Sequence, residues 1–128
     1  MTMVERSLLI GSWSLHSHGF RQTDGALIPT AQEMTGRLIY SPDDSMSVLI
    51  TKTPDPINIL DIIAYSGRFT LEDDGIYHHI EISPNVKRIG KKEYRIPSID
   101  GDRLILKLPP SKEGYYEVIW QRINRYAT

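Results

Sequence analysis

The chain has 128 residues, the length of one ordinary domain, and its 15 basic and 16 acidic side chains leave a net charge of −1, so no broad field draws it to nucleic acid. It has no cysteine, which excludes a disulfide framework, thiolate metal sites and thiol catalysis. No apolar run approaches the roughly 20 residues of a membrane span, and Glu5 and Arg6 interrupt the start where a signal peptide would be continuously apolar; a single cytoplasmic domain over residues 1–128 is expected.

In chain order, residues 4–10 are read as a short helix whose apolar face is Val4, Leu8 and Leu9. A strand follows near 12–19, with Trp13 and Leu15 opposed by Ser14, His16 and His18. Residues 20–34 have weak periodicity and read as a long loop, with a brief strand at 26–28. Alternation then predicts strands near 36–41 and 46–53, separated by Pro42-Asp43-Asp44-Ser45. Pro56 opens a dense apolar stretch through Ile57, Ile59, Leu60, Ile62 and Ile63, which reads as a short helix or lid near 56–63. Strands near 65–72 and 76–83 flank Asp73-Asp74-Gly75, and strands near 92–99 and 103–108 flank the tight-turn pair Asp100-Gly101. After Pro109-Pro110 and a loop to Gly114, a last strand is expected near 115–122. Eight short strands joined by turns imply an all-β, antiparallel up-and-down barrel, since closure removes exposed edges. A barrel of eight strands is filled by its own side chains or holds one small ligand.

The ordered set Gly11-Ser12-Trp13-Ser14-Leu15, Gly36-Arg37-Leu38-Ile39-Tyr40-Ser41-Pro42-Asp43, Ala64-Tyr65-Ser66-Gly67-Arg68-Phe69, His78-His79-Ile80-Glu81, Asp100-Gly101-Asp102-Arg103-Leu104 and Trp120-Gln121-Arg122 resembles the lipocalin-like domain proteins. These are small single-domain barrels found mainly in microbes. The resemblance runs from about residue 8 to 122. It implies a lipocalin-type barrel with a central cavity, in a family whose members mostly lack an established function and some of which resemble small cyclising proteins of polyketide pathways. It also implies a structural pair, in which Arg122 of the last strand packs over Trp13 of the first. The physics agrees: a planar guanidinium covers an indole face while its donors cap nearby carbonyls.

Among candidate ligand-binding residues, His78 is the odd one on a face shared with Ile76, Ile80 and Ile82. There it would donate to a ligand oxygen or act as a base near neutral pH, or be a core histidine satisfied by the backbone. Arg95, on a face with Glu93, Pro97 and Ile99, would bind a carboxylate, enolate or phenolate, or pair with Glu93, Glu81 or Glu117. Tyr40, Tyr65, Met46, Val48, Phe69 and Trp120 are the expected cavity wall, with Trp13, Leu38, Ile80, Leu104 and Leu106 beside them; tyrosine offers an apolar body with a polar tip and methionine adapts to ligand shape. His16, His18 and His79 offer three imidazoles, but the first two share the face opposite Trp13 and Leu15, which is expected to meet solvent, so no metal is expected. Lys87, Arg88, Lys91 and Lys92 form a basic run read as a solvated loop.

No phosphate-cradling glycine loop, nucleophile elbow or metalloprotease helix is present in the sequence, and no cofactor is expected. The leading expectation is a barrel that binds a small hydrophobic or aromatic metabolite, neutral or anionic. A cofactor-free cyclase or isomerase would use the same cavity, with His78 moving a proton and Arg95 stabilising an enolate. A third reading is a self-associating module using the apolar stretch at 57–63, and a homodimer is compatible with each of the three.

Overall fold

The computed structural model describes residues 4–29, 33–52 and 62–124. Among these residues one helical turn, α1 (Arg6–Leu9), precedes nine strands. These are β1 (Gly11–Gln22), β2 (Leu27–Pro29), β3 (Met34–Tyr40), β4 (Ser45–Lys52), β5 (Ile63–Glu72), β6 (Gly75–Ile82), β7 (Lys92–Asp100), β8 (Arg103–Lys107) and β9 (Gly114–Asn124). All pairings are antiparallel, in the order β2-β1-β3-β4-β5-β6-β7-β8-β9, and β1 also pairs with β9, so the sheet closes into a ring.

The count of eight is corrected to nine. One edge of the long β1 is shared: β3 takes Gly11 to Ser14 and β2 takes Gly19 to Arg21, while β9 covers the other edge from Ser12 to Gln22. The extra strand arises because the chain turns back on itself after Gln22, whose N–H donates to the Ala26 carbonyl. Of the helix or lid near 56–63, residues 56–61 lie outside the described residues, and Ile63 already belongs to β5.

Turn chemistry matches the turns. Asp43 accepts the Ser45 N–H at 3.0 Å and Asp44 adopts a positive φ of 72° between β3 and β4. Between β7 and β8 the two-residue connection begins at Gly101, whose φ of 61° lies in the left-handed region that suits a twisted hairpin.

The apolar alternates of every long strand face inward. In the half of the ring where β1 begins and β9 ends, Leu9, Trp13, Tyr40, Met46, Phe69, Ile76, Ile80 and Leu104 form a continuous buried core. Burying each large apolar side chain contributes roughly 1.5–3 kcal/mol. Trp13 Nε1 donates to the Leu9 carbonyl at 3.0 Å, which holds α1 across this end. Arg122 completes the seal. Its guanidinium carbon lies 4.0 Å from the Trp13 ring centroid, and it donates to the carbonyls of Leu8 and Ile10. Among the described residues no helix is long and apolar enough to cross a membrane.

Candidate functional site

Because neighbouring strands are antiparallel, β4, β6 and β8 end where β5, β7 and β9 begin. In that half of the ring lies a partly enclosed cavity of about 150 Å³. Its apolar wall is Leu38, Val48, Ile50, Ile63, Leu106, Leu108, Val118 and Trp120, and its polar residues are Tyr65, His78, Arg88 and Arg95. The Nε1 of Trp120 is sealed from solvent and has no hydrogen-bond partner among the described residues.

His78 sits at the floor, 2 % exposed. Cross-strand register places it opposite Phe69 on β5 and Glu93 on β7, so all three leave the sheet on its inner side. Its Nε2 lies 2.6 Å from the Tyr40 hydroxyl and its Nδ1 lies 2.7 Å from the Tyr65 hydroxyl. Burial depresses the imidazole pKa to about 3, with the charges of Arg95 and His79 acting the same way. Burial likewise pushes the Tyr65 phenol up to about 12 and the Tyr40 phenol well above its ordinary value. The ring is therefore a neutral imidazole between two neutral phenols at any physiological pH.

Arg95 faces inward beside it, opposite Ile76. It pairs with Glu93 at 3.0 Å and donates to the Tyr94 carbonyl at 2.8 Å. Glu93 also receives Arg88, at 3.0 and 2.9 Å to its two oxygens. Among the described residues one carboxylate thus answers two guanidiniums, which leaves an excess positive charge on this wall. Arg88 belongs to a single 3-10 turn, Val86–Arg88, and its guanidinium carbon stands 5.5 Å from the Tyr65 ring centroid.

Of the expected site residues, Val48, Tyr65, His78, Arg95 and Trp120 line the cavity. Tyr40, Met46 and Phe69 are not part of its wall; all three are at most 2 % exposed. The rings of Tyr40 and Phe69 meet at a tilt of 54° with centroids 4.7 Å apart, and Tyr40 reaches the site through its hydroxyl on His78. Trp13, Ile80 and Leu104 are core as well.

Sequence periodicity missed three features. A register shift between Leu15 and Ser17 reverses the parity of β1, so His18 pairs with Val118 and shares the inner face, while His16 stays outside, 3.0 Å from Arg103. His18 is partly desolvated there, which lowers its pKa. A second shift between Ser66 and Gly67 turns Ile82 outward, leaving it 68 % exposed instead of continuing the face of Ile76, His78 and Ile80. Arg88, read as part of a solvated basic run, contributes to the cavity wall. His79 points away from His78 and hydrogen-bonds Thr70 at 2.8 Å. Among the described residues no cluster of three or more histidines and carboxylates could hold a metal ion.

A model of the lipocalin-like domain family matches residues 10–57, from the end of α1 past β4. That stretch carries Trp13, Leu38, Tyr40 and Val48 of the interior. No curated protein matches the chain.

Proposed function

We propose that this chain binds a small hydrophobic or aromatic molecule inside its closed ring, which works as a lipocalin-type barrel of eight strands with β2 added at one rim. The observation that carries the reading is the cavity of about 150 Å³ with eight apolar side chains and four polar residues in its wall. A mostly apolar wall with a few convergent polar groups is the usual make-up of a ligand site. A cavity of this volume elsewhere holds one benzene, so the enclosed part of the ligand is about one ring in size. The lipocalin-like match over β1 to β4 supports the same reading.

Two features favour binding over proton transfer by His78. Both ring nitrogens are occupied by tyrosine hydroxyls, and burial makes the imidazole a weak base.

Titration with toluene, followed by amide chemical shifts, tests the reading. Saturable one-to-one binding is expected, with the largest shifts at Val48, Leu106 and Trp120. The change Leu106→Trp fills the cavity and abolishes it while the far-ultraviolet circular dichroism is kept. Toluene shifts spread over the surface, or unaffected by Leu106→Trp, would refute the proposal.

A further inference from the structure

The two tyrosines on His78 cannot both donate to it. A neutral imidazole has one N–H and one bare nitrogen, and each phenol has one proton to give. In one arrangement Tyr65 donates to Nδ1, the Nε2 proton goes to the Tyr40 oxygen, and the Tyr40 proton is left over. Tyr40 is 0 % exposed and lies below the cavity, with His78 as the hydroxyl's partner among the described residues. That arrangement buries an unsatisfied donor, which is costly. In the other, Tyr40 donates to Nε2 and the Nδ1 proton goes to the Tyr65 oxygen. The left-over proton then belongs to Tyr65, which lines the cavity, where a ligand or water accepts it. The second arrangement leaves no unsatisfied donor on Tyr40 or His78.

The polar side of the cavity therefore presents a phenolic proton held in place from behind, next to two guanidiniums that share one carboxylate. Proton donors and an uncompensated positive charge complement an oxyanion, and an apolar wall complements the rest of the molecule.

Building on the reading of the cavity as a binding site for a small apolar molecule, we propose that its ligand is a small organic acid in its anionic form, with one ring-sized apolar body. The oxyanion accepts from the Tyr65 hydroxyl and lies against Arg88 and Arg95. His78 is a positioning residue: it fixes the direction of the Tyr65 O–H and does not touch the ligand.

The probes are sodium benzoate and toluene, which share a ring and differ in charge. Benzoate is expected to bind at least about ten times more tightly than toluene. Tyr65→Phe, which removes only the hydroxyl, lowers benzoate affinity, and with it the ratio of benzoate to toluene affinity, about tenfold. A long-range proton–nitrogen spectrum of the His78 ring reads the tautomer directly, with Nδ1 protonated and Nε2 bare. Equal affinity for the two probes, an unchanged benzoate affinity in Tyr65→Phe, or a ring protonated on Nε2 overturns this proposal and leaves the apolar binding site standing. Failure of both probes to bind overturns the two together.

Discussion

The guanidinium of Arg122 lies over Trp13, its central carbon 4.0 Å from the ring centroid, although the two residues are 109 positions apart in a chain of 128. Register explains the approach: Trp13 and Arg122 are direct partners across the β1–β9 closure. The same guanidinium caps the carbonyls of Leu8 and Ile10, so it ties the closing strands to α1. Its side chain is 5 % exposed, where a cation over an aromatic face is worth more than at the surface.

Replacement of Arg122 by Met keeps much of the length and removes the charge and the donors. Loss of the ring contact and of the caps on two carbonyls costs about 3 kcal/mol. Urea unfolding should show a lower midpoint with an unchanged slope. The cavity lies at the other end of the ring, so toluene affinity in the folded variant stays within a factor of about two; an unchanged midpoint would show that the seal contributes nothing to stability.

Gly67 is required by the bulge opposite it. A Cβ there would sit 1.9 Å from the His79 carbonyl oxygen and 3.0 Å from the Glu81 nitrogen, both backbone atoms. Neither can turn aside as a side-chain tip would. Gly67→Ala is expected to destabilise by about 3 kcal/mol, the upper range for overpacking. The strain also falls on the β5–β6 register that sets His78 between its tyrosines. Amide exchange at Ile80, which bonds the Lys91 carbonyl, and at Phe69, which bonds the Asp44 carbonyl, should accelerate more than exchange in β8 and β9. Uniform acceleration would place the damage in global stability alone.

The strands were legible because their apolar side chains alternate, and the turns because Asp43, Asp44 and Gly101 supply the required backbone geometry. Alternation gives the face of a strand but not the depth along it. Tyr40, Met46 and Phe69 share the inner face with Tyr65 and Val48, yet they fall on the packed side of His78 and the others on the hollow side. Depth follows from the closure between β1 and β9, which no local pattern encodes.

Parity also fails at each bulge. One extra residue near His16 carried His18 inward, and one near Glu81 carried Ile82 outward. Gly67 was the available sign of the second, since a strand glycine often marks a bulge or a close backbone approach. Arg88 had no such sign. A loop residue has no periodicity, and its turn toward the cavity depends on Glu93, five residues on in the next strand.

The buried imidazole makes stability depend on pH in a definite direction. In the unfolded chain His78 takes a proton near its ordinary value of 6.5; in the folded protein it takes one only near 3. Between those values the unfolded state holds the extra proton, so stability rises with pH. The contribution is present in full above about pH 6.5 and is lost as the pH falls toward 3, at roughly 1 kcal/mol per pH unit. Carboxylates titrate in the lower part of this window, so the informative quantity is a difference. His78→Gln keeps one acceptor and one donor for the two tyrosines and cannot take up the proton. Its unfolding free energy, measured by urea at pH 7, 6, 5 and 4, should fall less steeply than that of the parent, so that the gap between the two proteins narrows or reverses on acidification. Parallel curves would mean that His78 is as easily protonated in the fold as in the open chain, and that its burial between Tyr40 and Tyr65 does not hold it neutral.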